Sequence, residues 1–381
     1  MITMNNQKLT KILFVIGFVL LILAQISFSF TDAINLLEPI DFIHWTILIG
    51  AVLVIPGVLR FSNGMFSKIG TPITLAGIAT TIGMCAIDFV LWSYNSDQKA
   101  RADLYYQLIE EPSIWMVFIT VGPALFFVGL SIQSFDYLKT NIKGVLLTNI
   151  GAVVTGVGGL LLPFEYHFVM IIGYMIFAFG ANILLFKRRI FHNTYFKVYD
   201  VLFIIGLLLE MIGQILLMPG NEFVYALKPI DFAHWSLLLG AVFMIPKIVN
   251  FPNKLITYIG TPLAMIGVVC FIGMCILDFM WWNMPNQEMR VELASHLSKF
   301  PSIWIPFITK GTAFFNIGIL ILSFNYIKKN ILAVSLIILA TLIIFVGGFI
   351  PHRLILVYLI TAIGYALIFF KKASPNEYKT Q

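Results

Sequence analysis

Residues 41–92 and 231–282 of this chain align without a gap at a spacing of 190, and 24 of the 52 paired positions are identical. The shared positions include polar ones. Asp41, Phe42, His44 and Trp45 return as Asp231, Phe232, His234 and Trp235, and Gly70-Thr71-Pro72 returns as Gly260-Thr261-Pro262. Gly83-Met84-Cys85, Asp88, Phe89 and Trp92 return as Gly273-Met274-Cys275, Asp278, Phe279 and Trp282. After a one-residue slip, Pro112-Ser113-Ile114-Trp115 returns as Pro301-Ser302-Ile303-Trp304. A self-repeat of this length constrains the architecture before any local pattern is read.

The repeated material is apolar. The chain is 60% hydrophobic and only 11% charged, against about 25% charged in a soluble domain, and its mean hydropathy is +0.95. Twelve apolar runs are long enough to cross about 30 Å of hydrocarbon at about 1.5 Å per residue: 11–30, 40–59, 71–94, 113–137, 144–162, 167–186, 199–218, 230–249, 261–283, 302–326, 330–349 and 354–370. They are too long, and too little alternating, for barrel strands. The first run is also too long for a signal peptide, and its partner around Gly206 and Gln214 lies in mid-chain, so it stays as a helix.

The expected fold is therefore an all-α polytopic membrane protein, with twelve transmembrane helices in two parallel (direct) six-helix repeats, 1–190 and 191–381. Six spans per repeat make both halves enter and leave on the same side, so the halves are parallel rather than inverted. With the N-terminus inside, cytoplasmic segments hold 17 of the 24 Lys and Arg residues and the opposite side holds six. Short loops make that bias a topology signal. It predicts a multi-pass protein of the plasma membrane with both termini cytoplasmic (N-in/C-in), joined at its middle by Lys187-Arg188-Arg189 through Lys197.

Local signals refine this. Thr71-Pro72 and Thr261-Pro262 predict helix starts, with Thr as N-cap and Pro at the first helical position. Pro56 and Pro246 end or bend the second and eighth helices. The longer outer loops, 95–112 and 285–301, each carry an amphipathic face: Leu104, Tyr105, Leu108 and Ile109 in one, Met289, Leu293, Ala294 and Leu297 in the other. Both read as surface helices, either anchors or lids. Cys85, Cys270 and Cys275 lie in apolar runs and read as packing residues.

Ionisable residues inside apolar runs are costly and are functional candidates by default. Asp41 and His44 share one helix face, and Asp88 lies about 9 Å below the outer end of the antiparallel third helix, so the three can meet. Asp231, His234 and Asp278 rebuild the group in the second half. One reading is a helix clamp. The other is an externally accessible protonatable site, or a metal site with O, N and O donors.

Glu210 and Lys310 break the repeat, because Leu21 and Val121 stand at the matching positions. Each lies about 12 Å below the outer end of its helix, so matching depth and opposite charge predict a pair near the midplane, where transporter sites occur. Gln25, Gln214, Asn149 and Asn316 are secondary candidates for a cavity wall. His167, His192, His296 and His352 have no repeated partner and read as solvated.

No Walker loop, dinucleotide fingerprint or nucleophile elbow is present, and no haem-ligand spacing; no cofactor is implied. The expected partners are the lipid bilayer and a small solute or ion, with neither nucleotide nor nucleic acid. Twelve helices in two parallel halves are shared with major-facilitator transporters, but Arg60-Phe61-Ser62-Asn63-Gly64 does not match that family's loop motif. The leading expectation is a secondary transporter or permease for a small solute, with proton-linked intramembrane charges. The alternatives are a non-catalytic sensor or accessory membrane subunit, and an intramembrane metal-binding protein or enzyme using the paired Asp/His clusters.

Overall fold

The computed structural model describes residues 6–29, 40–187, 196–252 and 254–370. Arg188, Arg189 and His192 in the central connector, and Lys371, Lys372 and Lys379 at the C-terminal end, lie outside the described residues. All regular structure among the described residues is helical. In chain order the helices are α1 (Asn6–Phe28), α2 (Phe42–Val58), α3 (Met65–Ser93), α4 (Gln98–Ile109), α5 (Pro112–Ile114), α6 (Ala124–Ser134), α7 (Ile142–Gly156) and α8 (His167–Lys187). There follow α9 (Phe196–Leu217), α10 (Asn221–Ala226), α11 (Phe232–Val249), α12 (Leu255–Asn283), α13 (Gln287–Leu297), α14 (Pro301–Trp304), α15 (Gly311–Ser323), α16 (Ile331–Val346) and α17 (Arg353–Phe370).

Eight described helices are long and apolar enough to cross a membrane, and up to ten spans result if each of two bent pairs counts as one. The bent pairs are Pro112–Thr120 with Ala124–Tyr137, at 51°, and Pro301–Thr309 with Gly311–Tyr326, at 49°. The remaining apolar helices, α2 and α16, are shorter.

The chain divides into two compact units. The first comprises Met1–Thr194 with Phe279–Ile305, and the second Tyr195–Asp278 with Pro306–Gln381. In the first unit α1 packs on α2, α3 on the bent span through α6, and α7 on α8, while α8 returns to α1. In the second unit α9 packs on α11 and α17, and α16 on α17. Glycines set the close crossings. A Cβ on Gly17 would meet the Gly50 carbonyl at 2.8 Å, and one on Gly77 would meet the Phe126 backbone nitrogen at 2.0 Å. In the second unit a Cβ on Gly206 would lie 2.7 Å from the Gly240 carbonyl, and one on Gly267 would lie 2.1 Å from the Phe315 nitrogen. Small residues of this kind let backbones approach where lipid supplies no hydrophobic driving force.

Two expected helix starts are corrected. α3 begins at Met65 and α12 at Leu255, so Pro72 and Pro262 lie inside helices rather than at their first turns. In α3 the cap comes from a distant part of the chain: the Asp136 carboxylate accepts from the Phe66 and Ser67 backbone N–H groups at 3.1 and 3.0 Å. That partner satisfies the orphan donors, so the helix extends past the local Thr-Pro signal.

The two loop helices, α4 and α13, form as expected, but each buries one narrow stripe. Leu104 and Leu108 are buried in α4, and Leu293 and Leu297 in α13, while Tyr105, Ile109 and Met289 remain exposed. His296 of α13 is not free in solvent. Its Nε2 lies 3.0 Å from Ser93 Oγ, and its ring stacks on Tyr94 at 3.8 Å. Partial desolvation holds the imidazole below its ordinary value, and the nearby Lys299 adds to that effect.

The packing generates two expected outcomes. Asp136→Ala removes the α3 cap and should cost about 1 kcal/mol, read as a lower unfolding midpoint in detergent. At His296 the folded state prefers the neutral ring, so its contribution is complete above about pH 6.5 and is lost as pH falls through the depressed folded value. Thermal unfolding between pH 8 and pH 5 should show a steeper acid loss in wild type than in His296→Gln.

Candidate functional site

Asp41 is the N-cap of α2, and its two carboxylate oxygens do different work. Oδ1 accepts from the His44 backbone N–H at 3.1 Å, while Oδ2 lies 2.6 Å from His44 Nδ1. The i, i+3 spacing makes both contacts possible from one side chain. The opposite ring nitrogen, Nε2, lies 3.3 Å from Asp88 Oδ2 on α3. Phe28 stands edge-on to the imidazole at 5.4 Å. The three residues that the sequence brings to one depth therefore do meet. The second unit repeats the arrangement, with His234 Nδ1 2.6 Å from Asp231 Oδ2 and Nε2 3.3 Å from Asp278 Oδ2.

This geometry suits proton transfer better than metal binding. A chelate needs its donors to converge on one point at about 2.0–2.2 Å. Here each carboxylate sits at a different ring nitrogen, so the imidazole separates them. Among the described residues no group of three His, Cys, Asp or Glu side chains could hold a metal ion. An imidazole between two carboxylates can instead take a proton at one nitrogen and release one at the other.

Trp92 and Trp282 are buried, and Trp92 packs edge-on against Phe300 at 5.8 Å. Trp45 lies 5.0 Å from the Phe89 ring.

A cavity of about 950 Å³ in the first unit adjoins the Asp-His-Asp chain. All six apolar segments of that unit contribute to its wall, and along α3 it reaches from Ile78 to Asp88, about 15 Å of helix. Its polar lining includes Gln25, His44, Asp88, Asn149, His167 and Tyr174. Gln25 and Asn149 are secondary candidates that the structure places on this wall. His167, read from the sequence as solvated, lies on the wall too, with Nε2 3.2 Å from the Gln25 carbonyl oxygen. The sequence reading also misses Tyr174. It stands thirteen residues before Lys187, as Tyr358 stands thirteen before Lys371, and that recurrence was the available signal.

The expected Glu210–Lys310 pair does not form. Glu210 is 0% exposed, and neither carboxylate oxygen has a hydrogen-bond partner among the described residues. Its oxygen lies 3.1 Å from where a Gly240 Cβ would be, so the missing side chain there makes its room. Lys310 sits at the break before α15 and is exposed. Depth along two helices was legible, but the rotation of each helix about its axis was not. A buried cation among the described residues of this unit is Lys247, in the last turn of α11. It pairs with Asp200 and lies 4.3 Å over the Phe369 ring.

The chain matches no protein-family model, no curated protein and no solved structure. Its function must therefore be argued from this geometry alone.

A buried carboxyl group without partners costs about 1–3 kcal/mol even when uncharged, and more when charged. Glu210→Leu, which installs the residue type found at Leu21, should raise the unfolding midpoint in detergent. A lower midpoint would mean that Glu210 has a partner in the folded protein.

Proposed function

We propose that this chain is a secondary transporter or permease for a small solute, proton-linked through the Asp41-His44-Asp88 chain. In this reading it spans the plasma membrane twelve times as two direct six-helix repeats, with both termini in the cytoplasm. The bent pairs and the shorter helices α2 and α16 supply the four spans beyond the eight long ones. The observation that carries the proposal is the first-unit cavity, about 950 Å³ across all six apolar segments, with a proton-competent chain in its wall. Concave, mostly apolar pockets with a few convergent polar groups are the default ligand sites, and they occur between the helices of bundles. The duplicate chain at Asp231, His234 and Asp278 fits a second relay. Glu210 fits a protonated residue kept in dry surroundings, and Lys310 is left as a surface contact for a solute.

A specific observation also favours a second reading, a sensor or accessory subunit. Both ring nitrogens of His44 already face protein carboxylates, as a clamp between α2 and α3 would require.

Proteoliposome assays separate these readings. Under an imposed pH gradient, a panel of labelled neutral, cationic and anionic solutes should include at least one that moves with protons. Asp88→Asn and His44→Gln should each lower that flux at least tenfold while the protein elutes as a folded species. Vesicles inert to the whole panel would leave the clamp reading in place of transport.

A further inference from the structure

We propose that the first-unit cavity takes an apolar organic cation, admitted sideways from the hydrocarbon layer. This rests on the same cavity as the transport reading and adds the class of molecule it holds.

No Lys or Arg lines the cavity, and Asp88 is the carboxylate on its wall. One Asp88 oxygen faces His44, and the other takes no hydrogen bond among the described residues. With both carboxylates ionised, Asp41, His44 and Asp88 carry net negative charge, and Arg101, which acts on His44 and Asp88 from nearby but does not line the cavity, offsets part of it. A carboxylate at this depth is stabilised by a cation, and an anion would be repelled.

Apart from Gln25, Asn149, His167 and a few hydroxyls, the rest of the wall is apolar and aromatic. Phe28, Phe126, Phe127 and Tyr174 surround the space, and Phe127 meets Tyr174 edge-on at 4.9 Å. Aromatic faces attract a poorly hydrated cation with an apolar body, and they offer little to a small polar solute.

The route in follows from two backbone irregularities. The 51° bend places Ile119, Thr120 and Pro123 on the cavity wall. The π-helical turn Val157–Leu161 places Gly158, Gly159 and Leu160 there. Irregular backbone at membrane depth is tolerated where it lines a cavity, and π turns concentrate at functional sites. Beside the π turn, two apolar lining residues are strongly exposed, Val153 at 66% and Leu160 at 62%. A mouth edged with Val and Leu opens to hydrocarbon rather than to water.

Tetraphenylphosphonium and tetraphenylborate have one shape and opposite charge, so the pair isolates the charge argument. Equilibrium dialysis against detergent-solubilised full chain, with protein-free micelles subtracted, should show saturable binding of one phosphonium per chain. Binding should be at least tenfold tighter than that of the borate. Asp88→Asn should weaken phosphonium binding at least tenfold. Gly156→Phe tests the cavity without touching the carboxylate, because a Cβ at Gly156 meets nothing within 4 Å; it should abolish binding in a folded protein. Equal binding of the two ions, no saturable binding, or unchanged affinity in folded Gly156→Phe would overturn the proposal. Phosphonium binding in detergent with inert vesicles would sustain this inference and remove transport. Flux of a polar solute without phosphonium binding would do the reverse.

Discussion

Much of the first unit is organised around one carboxylate that serves two geometries. Asp41 Oδ1 closes the first turn of α2, and Oδ2 holds His44 Nδ1 at 2.6 Å. With that nitrogen held, the ring cannot turn without giving up a charged partner in a largely buried setting. Nε2 then points at Asp88, which sets the contact of α2 with α3. His44 and Asp88 both line the cavity. A capping interaction worth about 1 kcal/mol in water thus also fixes the orientation of a titratable group.

The first unit combines tight crossings with an opening, and backbone chemistry separates the two. At Gly17 with Gly50 and at Gly77 with Phe126, any side chain would strike backbone within 3 Å, so these contacts hold the helices in place. At the bend after Thr120 and the turn at Val157–Leu161 the regular ladder is interrupted. Helix–helix contact cannot continue through such breaks, and space remains beside them. Both breaks lie on the cavity wall.

Periodicity and depth were legible in the sequence, and azimuth was not. The apolar runs correspond to described helices or bent pairs, and Asp41, His44 and Asp88 meet because depth and the i, i+3 rule suffice when the helices are neighbours. Glu210 and Lys310 had matching depth as well, yet one is sealed beside Gly240 and the other is exposed at a helix break. Nothing in a linear reading says which way a uniformly apolar helix is turned. The same limit hid the partners of Lys247, because Asp200 and Phe369 lie on other helices, α9 and α17. The α3 start was hidden differently, because its cap, Asp136, is 70 residues from Phe66.

The two copies of the repeat are informative where they diverge. Both retain the Asp-His-Asp chain with the same spacings, 2.6 and 3.3 Å, so that chain alone does not distinguish one half's task from the other's. The residues around it do. Thr81 lines the first-unit cavity, and its counterpart at a spacing of 190 is Phe271, buried against Phe315 at 5.6 Å. Leu21 also lines the cavity, and its counterpart is the sealed Glu210. A threonine replaced by phenylalanine fills volume, and a leucine replaced by an unpartnered carboxylate makes an apolar wall costly to expose. Divergence at these positions, with the clamp preserved, is what a duplicated scaffold would show if one copy kept a ligand site and the other kept mainly the means of holding its helices together.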